Sequence, residues 1–211
     1  MSSEFSSDVA QAEALERRRV APSSTNLSLV DEDTENGEVR TLFANYRERF
    51  TRTDLPGIVR CFATNSSLLK GMLEIAENFL FSESLLSRRH KEMIATYVSQ
   101  QNACPYCADS HGVLLGAEGA APEMICSLQR GDLSAHLFTT AEVALLDFAG
   151  KVNANSSTVI RADVEAAMLA GWTETQIAEA VHVVALYAAF NRIASGFGLP
   201  SPYPDSLRDQ L

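Results

Sequence analysis

Two cysteines and a histidine at helical spacing are the residues of this sequence best suited to chemistry. Cys104 and Cys107 are separated by Pro105 and Tyr106, and His111 follows four residues after the second cysteine. Two cysteines in a Cys-x-x-Cys pattern can close a small disulfide ring, and residues four apart on a helix share one face. The spacing therefore places an acid–base group beside a thiol, as redox or nucleophilic cysteine chemistry requires.

An upstream carboxylate extends this group. Pro105 suits the first turn of a helix, because its missing N–H costs nothing there. A short connection at residues 102–103 would then fold the preceding helix back and bring Glu92 towards His111. Glu92 would set the tautomer and proton supply of the imidazole. A nucleophile, a base and a group that orients the base together make the arrangement expected of an activated thiol.

The elements that must position these residues are helices. From residue 36 onwards apolar residues recur at helical spacing, and no run alternates as a half-buried strand would. Ser87 can cap the helix that precedes the cysteines, and capping boxes begin at Thr139 and Thr173. The sequence predicts an all-α fold of roughly eight helices, with the Cys-x-x-Cys motif at a helix N-terminus.

Three further helix boundaries are expected. Ser66 or Ser67 can cap an early helix, since both hydroxyls can accept from backbone N–H groups. Gly116 would stop the helix that starts at Pro105. Asp163 is expected to begin a later helix.

The longest predicted helix runs from about Thr173 to Ser195. Its centre, Val181 to Phe190, is apolar nearly all round. A helix of this kind is buried among other helices or at a subunit interface. The sequence therefore favours an oligomer over a monomer.

Charge and composition exclude some classes of function. The 211 residues carry a formal net charge of −10, and 46% of them are hydrophobic. The apolar content indicates a globular protein. Nucleic-acid binding is not expected, because polyanions require a basic surface.

Neither a signal peptide nor a membrane span is evident. The N-terminus lacks an apolar core segment, and the longest apolar run is shorter than the roughly 20 residues that a span needs. We therefore expect a cytoplasmic protein with no membrane partner. In a reducing compartment a disulfide is more often transient and catalytic than structural. Cys61 and Cys126 lie on apolar helix faces and are expected to be buried free thiols.

The chain divides into a short appendage and one domain. Residues 1–26 include a segment that Ser7 or Asp8 could cap as a short charged helix through Arg19, followed by a linker rich in small polar residues. This appendage could be loose or docked on a neighbouring subunit. Residues 27–211 form the predicted helical domain.

The pattern of one glutamate, eleven residues, Cys-x-x-Cys, three residues and histidine resembles the alkylhydroperoxidase D-like (AhpD-like) group of the carboxymuconolactone decarboxylase superfamily. Here the pattern is Glu92, Cys104-Pro-Tyr-Cys107 and His111, complete in residue type and spacing. From about Val39 to Leu199 the chain looks like the peroxidase-related branch of that group. The first 26 residues are outside the resemblance.

The resemblance implies an all-helical AhpD-like fold, assembled as a homo-oligomer such as a trimer or hexamer. It implies reduction of hydroperoxides by a dithiol–disulfide cycle. We predict no cofactor and no bound metal. Cys107 would be the peroxidatic thiol, Cys104 the resolving thiol, and Glu92 with His111 the proton relay. A dithiol reductant, a lipoylated or thioredoxin-like protein, would regenerate the thiols.

Several alternatives remain open from the residues alone. The helix dipole favours Cys104 as the more acidic thiol, whereas the expected position of His111 favours Cys107. Tyr106 stands where well-studied relatives have a histidine, and a tyrosine is a poor base near neutral pH. The same residues could bind zinc. The protein could also be a carboxymuconolactone decarboxylase-type lactone enzyme or a non-enzymatic oligomeric redox sensor.

Overall fold

A computed structural model describes residues 25–134 and 136–202 of the chain. Within these residues it contains nine α-helices and no strand, which confirms the all-α prediction. In chain order the α-helices are α1 (Gly37–Phe50), α2 (Gly57–Phe62), α3 (Ser66–Ile75), α4 (Arg88–Gln101), α5 (Pro105–Ala117), α6 (Pro122–Arg130), α7 (Thr140–Asn155), α8 (Arg161–Leu169) and α9 (Glu174–Phe197). A π-helical turn, Ala76–Leu80, follows α3. The helix predicted between Ser7 or Asp8 and Arg19 lies outside the described residues.

Most predicted start signals act as expected. The Ser87 hydroxyl accepts from the His90 N–H and caps α4. Thr139 and Thr173 begin α7 and α9 with reciprocal capping boxes, in which side chain and backbone satisfy each other. Pro105 is the first residue of α5.

Three predicted boundaries were wrong. Asn65, rather than Ser66 or Ser67, caps α3, because its side-chain oxygen accepts from two backbone N–H groups of the first turn. Helix α5 continues through Gly116 to Ala117. Helix α8 begins at Arg161, and Asp163 accepts from the backbone N–H of Ile160, the residue just before the helix.

Helix α4 is the centre of the fold and packs against α5, α6, α7 and α9. Its residues from Lys91 to Ser99 are all buried, so the helix has no solvent face over that length. Its neighbour α5 runs close to α6, because a side chain at Gly112 would meet Ile125 and Gln129 at 2.9 Å. Glu92 therefore lies on an enclosed helix, and the Cys-x-x-Cys motif lies at the start of the helix that packs closely beside it.

Two hydrophobic cores share two partly buried side chains, Phe81 and Phe190, which pack against both. The larger one combines residues of all the helices from α4 to α9, and the smaller one combines residues of α1, α2 and α3. A third small cluster consists of Cys104, Tyr106, Cys107 and Ala194. The motif therefore borders the smaller core, because Ile58 packs against both clusters.

The long helix α9 is buried on one face only. Val183, Val184 and Tyr187 are in the core, whereas Val181 is 37% exposed and Ala185 and Ala189 are exposed. The prediction of burial within the chain therefore holds for half of the helix. By length and composition α9 could also cross a membrane, but core helices of soluble proteins meet the same criterion.

Candidate active site

A tight turn between α4 and α5 positions the first cysteine. Ala103 has a left-handed backbone, with φ at +51°, which costs an alanine free energy. The N–H of Cys104 donates to the carbonyl of Ser99 at 2.9 Å. The Asn102 side chain donates to Asn191 on α9 and to Asn153 on α7. The turn is therefore tied to three helices, and α5 folds back along α4 as predicted.

Cys104 and Cys107 lie one turn apart, and both are buried free thiols. Hydrogen bonds from the side chain and the backbone of Cys107, a further one from Ser195 and the charge of His111 together lower the pKa of Cys104 to about 6, against the opposing effect of burial. Its hydrogen bond to Cys104, burial and the charge of Cys104 raise the pKa of Cys107. The pair thus shares one proton, with the negative charge resting on Cys104.

Glu92 and His111 are in direct contact, as the spacing predicts. The Nδ1 atom of His111 lies 2.7 Å from one carboxylate oxygen of Glu92, which is fully buried. Because a carboxylate only accepts, Nδ1 carries the proton of this hydrogen bond. The other ring nitrogen of His111, Nε2, therefore remains available for proton exchange.

Arg88 completes the charge balance of Glu92. Its Nε donates to the second Glu92 oxygen at 2.7 Å, and its guanidinium carbon lies 4.3 Å from the centre of the Phe81 ring. The sequence analysis did not assign this residue to the site. An arginine four positions before a glutamate on a helix is the signal that could have identified it.

Asn191 on α9 is a second residue that the sequence did not assign to the site; the sequence favours an interface or helix-end role for it. It is buried, its amide donates to the Ser99 hydroxyl at 2.9 Å, and its oxygen accepts from Asn102. A hydrogen bond from Asn191 also favours the anionic form of Cys107. No spacing rule links residue 191 to residue 107, because only tertiary packing brings α9 against α5.

The hydroxyl of Tyr106 makes a structural hydrogen bond and does not act as a base. Its hydroxyl accepts the backbone N–H of Ile58 at 3.1 Å and so joins α5 to α2. Burial raises the pKa of Tyr106 above its ordinary value. Its phenol therefore stays neutral and cannot replace a basic histidine.

A cavity of about 510 Å³ opens beside the motif. Its walls come from α1, α2, α3, α5, α9 and the π-helical turn, and most of the lining side chains are apolar or aromatic. Cys107, His111 and Arg88 line the cavity, whereas Cys104 does not. A small molecule in the cavity would therefore meet the second cysteine first.

The described residues contain no group of three or more histidine, cysteine, aspartate or glutamate side chains placed to hold a metal ion. Both oxygens of Glu92 already accept from Arg88 and His111. The four predicted residues are thus brought together as two linked pairs, a dithiol and a carboxylate–imidazole.

Comparison with known proteins agrees with this arrangement. Residues 67–150 match the model of the carboxymuconolactone decarboxylase family, a segment that includes all four predicted site residues. A search of curated proteins finds no match.

Solved structures share the fold over nearly their whole length. An uncharacterized peroxidase-related protein from Silicibacter sp. TM1040 superposes with a TM-score of 0.75 at 24% identity, covering 90% of this chain and 98% of its own. An alkylhydroperoxidase AhpD core protein from Ralstonia eutropha JMP134 is also uncharacterized and peroxidase-related. It superposes with a TM-score of 0.77 at 21% sequence identity, covering 89% of this chain and 98% of its own. The debrominase Bmp8 was solved as a cysteine-to-alanine variant with 2,3,4-tribromopyrrole. It superposes with a TM-score of 0.63 at 14% sequence identity, covering 90% of this chain and 98% of its own.

At these identities the solved structures establish the fold, and the family match covers the segment that carries the site. Residues 67–150 thus match the carboxymuconolactone decarboxylase family model, and the chain has the fold of the AhpD-like, peroxidase-related solved structures.

Proposed function

We propose that this protein is a thiol-dependent hydroperoxide reductase that cycles between a dithiol and a Cys104–Cys107 disulfide. One observation carries the proposal: a thiol that faces an apolar cavity is hydrogen-bonded to a second thiol of lowered pKa, beside a buried carboxylate–imidazole pair. A peroxide needs an accessible sulfur anion to attack it and a proton donor for the oxygen that leaves.

The first step makes the sulfenic acid. The proton of Cys107 passes to Cys104, which leaves the thiolate on the sulfur that faces the cavity. This thiolate attacks the terminal peroxide oxygen, the O–O bond breaks, and the alkoxide takes a proton from protonated His111 to leave as an alcohol. Access therefore selects Cys107 as the peroxidatic thiol, although the resting negative charge is on Cys104.

The second step makes the disulfide. Neutral His111 removes the proton from Cys104, and the new thiolate attacks the sulfur of Cys107. The S–S bond forms, the S–O bond breaks, and the departing hydroxide takes the proton back from His111 to form water. Glu92 holds His111 through Nδ1 during both proton transfers. A dithiol reductant then restores both thiols by exchange.

The cavity favours an organic hydroperoxide over hydrogen peroxide. Its volume of about 510 Å³ and its largely apolar walls suit a substrate with a hydrocarbon or aromatic body. Burial of that body would supply binding energy that hydrogen peroxide lacks.

Partners and assembly follow from the same proposal. The reductant would be a lipoylated or thioredoxin-like protein in the cytoplasm, with no bound cofactor. The subunit would assemble as a homo-oligomer, a trimer or hexamer. The apolar side chains that the single chain leaves in solvent support this, with Leu169 90% and Ile160 61% exposed.

Thiol counting and turnover test the proposal together. One equivalent of cumene hydroperoxide should remove two thiols per chain, a dithiol reductant should restore them, and peroxide should then be consumed continuously. A redox sensor would lose the thiols once without turnover. A lactone enzyme would lose none at a comparable rate.

Reductive dehalogenation of an aromatic ring is a second candidate. The aromatic walls beside a dithiol favour it, and the debrominase Bmp8 has the same fold. In this reaction a thiolate would take the halogen as an S–halogen bond, the ring carbon would gain a proton, and the second thiolate would displace halide to form the disulfide. Halide release from a bromopyrrole in place of peroxide consumption would favour this function.

A further inference from the structure

The hydroxyl of Tyr187 is a buried polar group without a role in the scheme above. Tyr187 lies on α9, is 1% exposed, and its hydroxyl has no hydrogen-bond partner among the residues that the structure describes. A buried hydroxyl without a partner loses free energy relative to one that is bonded. Such a group in a native protein calls for an explanation, and one explanation is a ligand that completes the bond.

The position of Tyr187 places it at the reacting end of the cavity. The residue lines the cavity together with Cys107 and His111, and its ring packs edge-on against the His111 ring with centroids 4.6 Å apart. The charges of Glu92 and Arg88 both act on its hydroxyl. The group therefore lies among the residues that would handle the peroxide.

The protonation state of Tyr187 suits a donor and excludes a base. Burial, and then the negative charge of Glu92, raises the pKa of the phenol well above its ordinary value. The hydroxyl therefore keeps its proton at all pH values at which the protein would work. Tyr106 differs, since its hydroxyl oxygen already accepts from Ile58.

We infer that Tyr187 is a catalytic residue that donates a hydrogen bond to the substrate oxygen which becomes the alkoxide when the O–O bond breaks. This inference rests on the proposed peroxide chemistry. Negative charge develops on that oxygen in the transition state, and a fixed donor in a dry site stabilises it there. Tyr187 keeps its proton throughout, and the alkoxide receives its proton from His111, so the balance of the reaction is unchanged.

The test compares Tyr187→Phe with Tyr106→Phe in the full-length protein. For each variant, stopped-flow mixing measures the rate of thiol oxidation by cumene hydroperoxide, and thermal unfolding measures stability. Tyr187→Phe should react about 10²-fold more slowly, as loss of one oxyanion donor does. It should unfold at the same or a higher temperature, because the hydroxyl has no partner to lose. Tyr106→Phe should unfold at a lower temperature, because the Ile58 N–H loses its acceptor.

A series of peroxides separates catalysis from a structural effect. The rate lost in Tyr187→Phe should be largest for tert-butyl hydroperoxide, whose alkoxide is a poor leaving group, and smallest for a peroxyacid, whose carboxylate leaves readily. An equal loss for all peroxides, no loss at all, or this dependence in Tyr106→Phe instead would overturn the assignment to Tyr187. A wild-type protein that reacts with no peroxide would overturn the proposed function and the inference with it.

Discussion

Two adjacent residues of α4, Lys91 and Glu92, are both fully buried charges, but their surroundings differ. Lys91 donates to the carbonyls of Phe79 and Ser82 and to the Ser84 hydroxyl, and it lies 3.2 Å from Glu179. Glu179 in turn accepts from the Ser84 hydroxyl and from two backbone N–H groups. All of these partners belong to the protein itself, so this cluster, Lys91 with Glu179 and Ser84, is closed.

The cluster around Glu92 is open on one side. Arg88 and His111 satisfy the two carboxylate oxygens, and both of these partners line the cavity next to Cys107. A proton can therefore pass between this cluster and a ligand. The comparison shows that burial of a charge on its own does not indicate catalysis, whereas contact with a nucleophile and a cavity does.

Removal of the nucleophile should have the largest effect. Cys107→Ser should reduce peroxide turnover to that of the buffer and reductant alone, because no other thiol faces the cavity. Cys61→Ala is the matched control: this thiol is buried, burial raises its pKa to about 12, and it should be dispensable. Steady-state peroxide consumption measures both, and substantial turnover by Cys107→Ser would contradict the assignment.

Substitution of the two buried carboxylates should have different effects, with activity lost at Glu92 and stability lost at Glu179. Glu92→Gln should slow thiol oxidation by about 10²-fold, the size of a general acid–base contribution. Glu179→Gln should lower the free energy of unfolding by about 3–5 kcal/mol, because it leaves Lys91 buried without its counter-ion. Activity per folded molecule should survive that second change. Stopped-flow oxidation and urea unfolding of both variants measure the two effects.

Equal effects would break this comparison. If Glu179→Gln slows oxidation as much as Glu92→Gln at a temperature where both are folded, the Lys91 cluster takes part in catalysis. Glu92→Gln should also be the less destabilising of the two, since the Arg88 side chain is 15% exposed and can reach water.

The pH dependence of thiolate formation tests whether the dithiol beside the Glu92 cluster carries one negative charge. Thiolate absorbance at 240 nm should rise with a midpoint near pH 6, the lowered pKa of Cys104, and should correspond to one thiolate per chain. Below that pH the thiolate is protonated, so the rate of peroxide reduction should fall as pH decreases through 6. Cys104→Ser should abolish the transition. A midpoint near 8.5, the value of a free cysteine, would contradict the shared-proton arrangement.

The smallest expected effect concerns Ala103 in the turn between α4 and α5. Ala103→Gly should raise the free energy of unfolding by about 0.5–1 kcal/mol. Glycine adopts a positive φ without side-chain strain, and this gain exceeds the larger backbone entropy that glycine loses on folding. Urea unfolding measures the change. A destabilised variant would show that the alanine side chain has packing of its own that outweighs the strain.

The sequence predicted the features that local signals determine better than those that long-range packing determines. Capping residues such as Ser87 and Thr139 act within one turn, and therefore the sequence alone located them. Asn65 was missed because it competes with two adjacent serines that can also cap. The burial of α9 was predicted only in part, since a pattern that is apolar all round does not distinguish a core face from an interface.

The same limit applies to the candidate site. Glu92, Cys104, Cys107 and His111 lie on two consecutive helices joined by a short turn, so their spacing predicted the contact between Glu92 and His111. Asn191 and Tyr187 come from α9, about 80 residues after the cysteines in the chain. No local rule connects them to the cysteines, and only the packing of α9 against α4 and α5 does so.

The most direct test of the account is the identity of the sulfur that the peroxide oxidises first. The variants Cys104→Ser and Cys107→Ser, each of which keeps one cysteine of the motif, are mixed with one equivalent of cumene hydroperoxide and dimedone, and peptides are then mapped by mass spectrometry. The account predicts dimedone-trapped sulfenic acid on Cys107 in the first variant, none on Cys104 in the second, and a Cys104–Cys107 disulfide in the wild type. Trapping on Cys104 alone would contradict it.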